Sequence, residues 1–449
     1  MADAAKLRDR SMAITLRTLQ RVAASDVLDR LGIRDGAVKL LRDVSRGGAT
    51  TATRAGRTFA AGRAGLGLAS PARQPRAAGS RRPRLFDLTP DDEQSLLTDT
   101  VGEFAIDRLR PAAAAADAAC ATPPPLLAQA NELGLTMIGV PEELGGAVTS
   151  RSAATTVLMA SALARGDMGI AVACLAPAAV STAISLWGDA DQQATYLSAF
   201  VSDDVPAAAL ALMEPQALFD PFALRTRARS GAGGYILDGE KALVPRAAEA
   251  ELFVIAADLE GSGPSLFLVE PGTDGLSVTP EPGMGVRAAA TARLTLENVT
   301  VPHGARLGGD EDSDVYRDCV ALARIAWCAV AVGTGQAVLD YVIEYVNGRV
   351  AFGEPISHRQ AVAFTVADMA IELEGMRLAM LRAAGRVDQN LPFHREATLA
   401  RRLVADRGMR IGSDGVQMLG GHGYTTEHPV ERWYRDLRAA GLYEGALLT

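Results

Sequence analysis

Cysteine, histidine and aromatic residues are all scarce in this chain. Its four cysteines (Cys120, Cys174, Cys319 and Cys328) show no C-x-x-C and no paired spacing. That excludes a disulfide framework and points to a reducing compartment. Five histidines are too few and too scattered for a ligand set, so no metal site is expected. Aromatics make up 5% of the residues and nowhere alternate with basic clusters, which argues against a nucleic-acid surface. There is no Walker loop, no G-x-S-x-G and no H-E-x-x-H. Val332-Gly-Thr-Gly-Gln-Ala lacks the third glycine and the preceding strand of a dinucleotide fingerprint. The first thirty residues have no apolar h-region, so no secretory leader is expected. One uncharged run, Gly169 to Trp187, approaches membrane length. It contains Pro177 and is rich in Ala rather than Leu, which favours a buried core helix.

What is present is a large globular body with an unusual arm. Hydrophobic residues at 48% and charged residues at 22% are globular values, and 449 residues suffice for two or three domains. Residues 1–85 hold 18 Lys and Arg against six Asp, whereas the whole chain has 45 basic against 53 acidic residues. The arm is basic and the body acidic. Within the arm, 47–84 is Gly, Ala, Arg, Ser and Pro and reads as disordered. Residues 1–46 read as an amphipathic basic element for an anionic membrane surface or an acidic partner. The expected location is the cytoplasm, with peripheral membrane contact as an addition.

Beyond residue 85 the periodicity changes twice. Thr89 is a candidate N-cap with Pro90 at N1, opening a helix to about Leu109. Pro123 to Pro125 break the chain, and further helices are expected to Leu133, over Ser152–Leu163 and over about Gly169–Phe200. Between Val205 and Val301 short apolar runs follow a period of two, with Gly231 to Gly234 as a hairpin turn. From Asp318 onward Val320, Ala323, Trp327, Val330, Thr334, Ala337 and Tyr341 step by three and four, as do Val362, Val366, Met369, Leu373, Met376 and Met380. The expected architecture is α+β and multi-domain. An extension (1–85) precedes an α-helical domain (86–204), a middle β-domain (205–303) and a C-terminal α-helical bundle (304–449).

The last forty residues carry the chemistry. Gln417 to Tyr424 reads Q-M-L-G-G-H-G-Y, Arg435 and Asp436 form an R-D pair, and Tyr443-Glu444-Gly445 follows. Clustered glycines let a backbone approach a ligand closely, and a lone carboxylate in an apolar tail is costly without a task. This order and spacing resemble the C-terminal end of the acyl-CoA dehydrogenase family. So do Leu133–Gly146, ending in P-E-E-L-G-G, and Arg349-Val-Ala-Phe352-Gly353 running on to Gln360. The resemblance covers about 86–449 and implies that family's fold, with a four-helix bundle at the C-terminus.

It also implies α,β-dehydrogenation of an acyl-CoA thioester in fatty-acid β-oxidation. FAD is the implied cofactor and an electron-transferring flavoprotein the implied acceptor. Glu444 sits where the family has its base, and Arg324 where it keeps an arginine nearby. Arg349, Phe352, Gln360 and the loop with Gln417, Gly420, Gly421 and Gly423 match residues that reach FAD held mainly by a neighbouring subunit. His422 would line that cofactor region. An oligomer with sites at a dimer interface follows.

The primary flavin motif departs from the family's T-E-P-x-x-G-S-D and W-I-[TS]-N. Here stand Met213-Glu214-Pro215-Gln216-Ala217-Leu218-Phe219-Asp220 and Leu243-Val244-Pro245-Arg246. The hydroxyl at 213, the serine at 219, the ring-shielding aromatic at 243 and the N5 partner at 245 are missing. At about 1 kcal/mol net for each hydrogen bond, four or five losses weaken FAD by several orders of magnitude. Three readings follow. The first is an acyl-CoA dehydrogenase with an unusual flavin pocket. The second is an FAD-deficient partner subunit in a mixed oligomer. The third is a non-catalytic acyl-CoA- or partner-binding protein on the same fold, against which the retained Glu444 argues. Flavin monooxygenases of this fold do not use this base.

Overall fold

The computed structural model describes residues 88–146, 151–202, 204–309 and 314–449. The expectations for residues 1–46 and 47–84 fall outside them.

The N-terminal layer is helical. Helix α1 (Asp92–Phe104) is capped by Asp91, whose carboxylate accepts from the Gln94 N–H while the Gln94 side chain returns to the Asp91 N–H. This reciprocal box displaces the expected Thr89–Pro90 start by two residues. The helix runs past Leu109 through a π-turn (Ala105–Leu109) into α2 (Arg110–Ala119), which ends at left-handed Cys120. The prolines open α3 (Pro124–Glu132), since a missing N–H costs nothing in a first turn. Ser152 caps α4 (Ala153–Ala164). The segment expected as one helix to Phe200 is divided. Helix α5 (Met168–Trp187) stops at Gly188, where a Cβ would lie 2.5 Å from the Ile184 carbonyl. Asp189 then caps α6 (Ala190–Tyr196). In α5, 78% of the most apolar window is buried inside the protein, so it is a core helix, as its composition predicts.

The middle layer is a twisted sheet. Its strands are β1 (Ala208–Ala211), β2 (Arg227–Gly231), β3 (Gly234–Val244), β4 (Leu252–Leu259), β5 (Gly263–Val269), β6 (Leu276–Pro280), β7 (Ala292–Val301) and β8 (Arg306–Leu307). Their order is β6-β7-β3-β2-β4-β5-β8, with β1 parallel to β4. The glycine turn joins β2 to β3, pairing Gly231 with Gly234. Along β4, Leu252, Val254 and Ala256 face a core shared with α5, while Phe253, Ile255 and Ala257 fill the sheet's own core. The period of two therefore serves two buried faces.

The C-terminal layer is a bundle of α7 (Val315–Gly348), α8 (Gln360–Asp388), α9 (His394–Met418) and α10 (Val430–Ala439). Between α7 and α8 lies the short hairpin β9 (Val350–Ala351) and β10 (Glu354–Pro355). Helix α7 is buried on almost every side from Cys319 to Leu339 because it lies between the bundle, α4 and the sheet.

The R-D pair on α10 ties the three layers together. Arg435 forks onto Asp117 of α2 at 2.9 and 3.0 Å and donates to the Met284 carbonyl of the β-domain. Buried Asp436 accepts the Val286 N–H at 2.6 Å, and Arg432 bonds Asp167, the cap of α5, at 3.1 Å. Burial, then the neighbouring Asp167 carboxylate, push Asp436 up to about 8. Its folded value therefore lies above its ordinary value of 3.8, and the folded state holds the extra proton between them. Its contribution to stability is complete below that ordinary value and is lost as pH rises to about 8. Thermal melts at stepped pH should show wild-type stability falling over this window relative to Asp436→Asn. Parallel curves would refute a titrating Asp436.

Candidate active site

Glu444 lies just beyond α10, in a segment fastened to α7. Trp327 packs against Tyr443 with ring centroids 4.6 Å apart and the planes tilted, and its indole N–H donates to the Gly445 carbonyl at 2.7 Å. Gly445 adopts φ +76° with no room for a side chain, since a Cβ would lie 2.7 Å from Leu212 Cβ. Three residues before Trp327, and so one helical turn away, Arg324 reaches the same segment. Its Nε donates to Glu444 Oε1 and Oε2 at 3.1 and 3.0 Å, and its Nη2 to Oε1 at 2.9 Å. Glu444 is only 9% exposed. The structure thus brings together the two residues the sequence pairs as base and arginine.

It adds a third. Arg401 of α9 donates from Nη2 to the Tyr443 carbonyl at 2.6 Å and lies 3.7 Å from Glu444 Oε1. The signal was present in the sequence: Ala397, Ala400, Arg401, Val404, Gly408 and Ile411 form the buried stripe of α9, with an arginine inside it.

Beside Arg324 opens a cavity of about 370 Å³. Phe222, Val320, Ala321 and Leu399 give it apolar walls, and Arg317, His394 and Arg395 a basic rim. A larger cavity, about 560 Å³ beside Trp187 and Asp189, is polar and does not include Glu444, Arg324 or Arg401. The smaller one is lined by Arg324, the residue that holds the Glu444 carboxylate. Cys328 and Cys319, pushed up by burial, remain inert thiols.

The remaining expected residues lie elsewhere. Arg349 is 25 residues along the α7 direction from Arg324, about 37 Å at 1.5 Å per residue. It is exposed, and its side chain makes no ion pair or hydrogen bond among the described residues. Phe352 is 95% exposed at φ +57°, with Arg359 over its ring, and Gln360 opens α8 at the surface. Gln417, Gly420 and Gly421 are exposed too. His422 bonds Tyr345 and stacks on His428, which bonds Tyr341 at 2.7 Å. Gly423 differs: it is buried, and a Cβ there would lie 2.2 Å from the Val416 carbonyl. Such a separation places this face far from Glu444 of the same chain.

Known families match this chain between residues 91 and 447. The acyl-CoA dehydrogenase N-terminal, middle and C-terminal domain families match residues 91–204, 209–299 and 314–447. Human mitochondrial short-chain specific acyl-CoA dehydrogenase is 33% identical over 367 residues, covering 79% of this chain and 87% of that protein. This chain belongs to the acyl-CoA dehydrogenase family. Benzylmalonyl-CoA dehydrogenase of Aromatoleum aromaticum is also 33% identical, over 79% of this chain and 94% of its own length. Butyryl-CoA dehydrogenase of Megasphaera elsdenii superposes with a TM-score of 0.73 at 28% identity, covering 80% of this chain and 96% of that one. PigA, solved with FAD and proline, gives 0.74 at 26% identity with the same coverage. Members of this family are FAD-dependent oxidoreductases acting on CH–CH bonds.

The residues of this acyl-CoA dehydrogenase fit FAD unevenly. The face with unpaired Arg349, exposed Gln360 and the open Gly420–Gly421 backbone suits a pyrophosphate and nucleotide. On the ring side the donors are absent or already engaged. Pro245 is buried without an N–H, and the Leu243 N–H is taken by Glu281 at 2.9 Å. The Glu214 carboxylate is likewise engaged, with Lys241 and the Arg225 and Thr226 N–H groups. Burial brings Lys241 down to about 8. Although burial opposes it, the Lys241 ammonium draws Glu214 below the usual carboxylate range, so this pair belongs to the core. If Arg349 pairs with the cofactor, Arg349→Ala loses a charged hydrogen bond of about 1.5–3 kcal/mol, or tenfold or more in affinity. FAD retained per chain, read from flavin against peptide absorbance, should fall accordingly at unchanged melting temperature. Unchanged retention would remove Arg349 from the cofactor site.

Proposed function

We propose that this chain dehydrogenates a saturated acyl-CoA thioester between Cα and Cβ, in fatty-acyl β-oxidation, with Glu444 as the base. The observation that carries this reading is the buried Glu444 carboxylate, held by Arg324, which also lines a cavity with apolar walls and a basic rim. Apolar walls suit an acyl chain, and guanidinium groups at the rim suit a phosphorylated handle. The relatives named for short-chain and butyryl substrates make a short acyl group the first to test.

Proton transfer needs a carboxylate in a fixed direction and little water. Arg324 fixes the direction, and Tyr443, packed against Trp327, holds the backbone that carries it. Glu444 takes the α-proton as a new C=C bond forms. Bound FAD supplies the acceptor for the β-hydrogen and its electron pair, and an electron-transferring flavoprotein is the proposed onward acceptor.

A second reading is favoured by the unequal flavin fit. The chain keeps the face that reaches a neighbour's FAD while its own ring side lacks donors, which suits a partner subunit in a mixed oligomer. Exposed Phe364, Ile371 and Leu378, seven residues apart on α8, offer one apolar line for assembly.

Both readings meet one assay: purified chain with FAD, butyryl-CoA and an artificial electron acceptor. The first expects turnover that Glu444→Gln lowers by about 10²–10⁴-fold. Turnover only after a complete dehydrogenase subunit is added selects the second. Equal turnover in both variants rules out Glu444 as base.

A further inference from the structure

We propose that Arg401 is a second positioning residue for Glu444, and that with Arg324 it gives the site an excess positive charge for the substrate's enolate. This rests on Glu444 being the base. Arg401 is 8% exposed, and its Nη1 is buried with no hydrogen-bond partner among the described residues. Its Nη2 holds the Tyr443 carbonyl at 2.6 Å and stands 3.7 Å from Glu444 Oε1, too long for a hydrogen bond. Arg324, not Arg401, therefore binds the carboxylate directly.

Two guanidinium groups and one carboxylate give this cluster a net charge of +1. Glu444, Cys328 and Arg324 are the groups whose charges act on Arg401. Burial pushes the Cys328 thiol up to about 12 and the Tyr316 phenol well above its usual value, so both are neutral. Burial also lowers the Arg401 guanidinium from its ordinary value, the cost of keeping a cation there. An uncompensated buried cation is expensive, and a guanidinium fork with a vacant N–H is more so.

The reaction supplies a reason to retain it. Before proton transfer the negative charge is on Glu444. Afterwards Glu444 is neutral, its new O–H formed from the broken Cα–H bond, and the negative charge is on the thioester enolate. The total stays at +1 while the anion moves. A cation bonded only to the base would oppose this shift. One anchored to the Tyr443 backbone, beside the carboxylate rather than on it, stays in place as the charge departs.

The experiment uses the full-length chain with FAD and butyryl-CoA. It compares kcat, KM and the pH dependence of kcat/KM for wild type, Arg401→Met and Arg401→Lys, with a thermal melt of each. Arg401→Met should lower kcat by about 10- to 100-fold with KM changed less than about twofold. The acid limb of kcat/KM should move to higher pH, because one cation facing Glu444 is gone. Arg401→Lys keeps the charge and should return the limb to its wild-type position, which decides the matter alone if Arg401→Met melts below assay temperature. Wild-type kcat and an unmoved limb in Arg401→Met overturn the proposal. So does a loss that tracks melting temperature and is not restored by Arg401→Lys. An inert wild type, or full activity in Glu444→Gln, removes the base itself and Arg401 with it.

Discussion

A carboxylate can be taken out of water only with a partner that is itself held rigidly, and here that partner is Arg324 on α7. One turn further along, Trp327 holds the carbonyl of Gly445 and the ring of Tyr443. The helix therefore fixes both the charge and the backbone of the reactive segment. It can do so because it is enclosed on almost every side, by α4, the sheet and the bundle. The Asp117, Asp167, Arg432, Arg435 and Asp436 network closes those layers over it. A chain that buries one carboxylate in this way must first bring three layers to one helix.

The same helix also separates two regions of the molecule. Arg324 near one end faces Glu444, and Arg349 at the other faces the surface, about 37 Å away at the rise of an α-helix. One end holds the Glu444 carboxylate and the other carries the exposed Arg349. This gives a physical meaning to the unequal flavin motifs. Loss of polar donors around Met213, Leu243 and Pro245 concerns this chain's own site. Retention of Arg349, Gln360 and the Gly420–Gly421 backbone is what the proposed cross-subunit role needs.

Most of this architecture was legible because burial imposes period. Runs of two around Leu252–Ile255 and Leu266–Val269 became β4 and β5, and the three-four stepping from Val320 to Tyr341 became α7. The Arg324–Glu444 contact, 120 residues apart in sequence, was legible only through resemblance to a family, since no local pattern encodes it. Local chemistry misled where two caps competed. Thr89 before Pro90 looks like a helix start, but Asp91 with Gln94 satisfies two N–H groups at once. Gly188 ends α5 by close approach to a carbonyl, a constraint invisible without coordinates. Arg401 was readable as an arginine within an apolar stripe, but its partner lies on another element. The Lys241–Glu214 pair shows the converse: a glutamate inside a recognisable motif proves to be committed to the core.

The central claim is that Glu444 removes a proton from the α-carbon of an acyl thioester, and hydrogen exchange isolates that step from electron transfer. The chain with FAD and butyryl-CoA in deuterium oxide, without an electron acceptor, should wash deuterium into the α-position, read by mass spectrometry. Wild type is expected to incorporate it while Glu444→Gln does not. Equal incorporation by both, or none by a well-folded wild type that binds the thioester, would contradict the account.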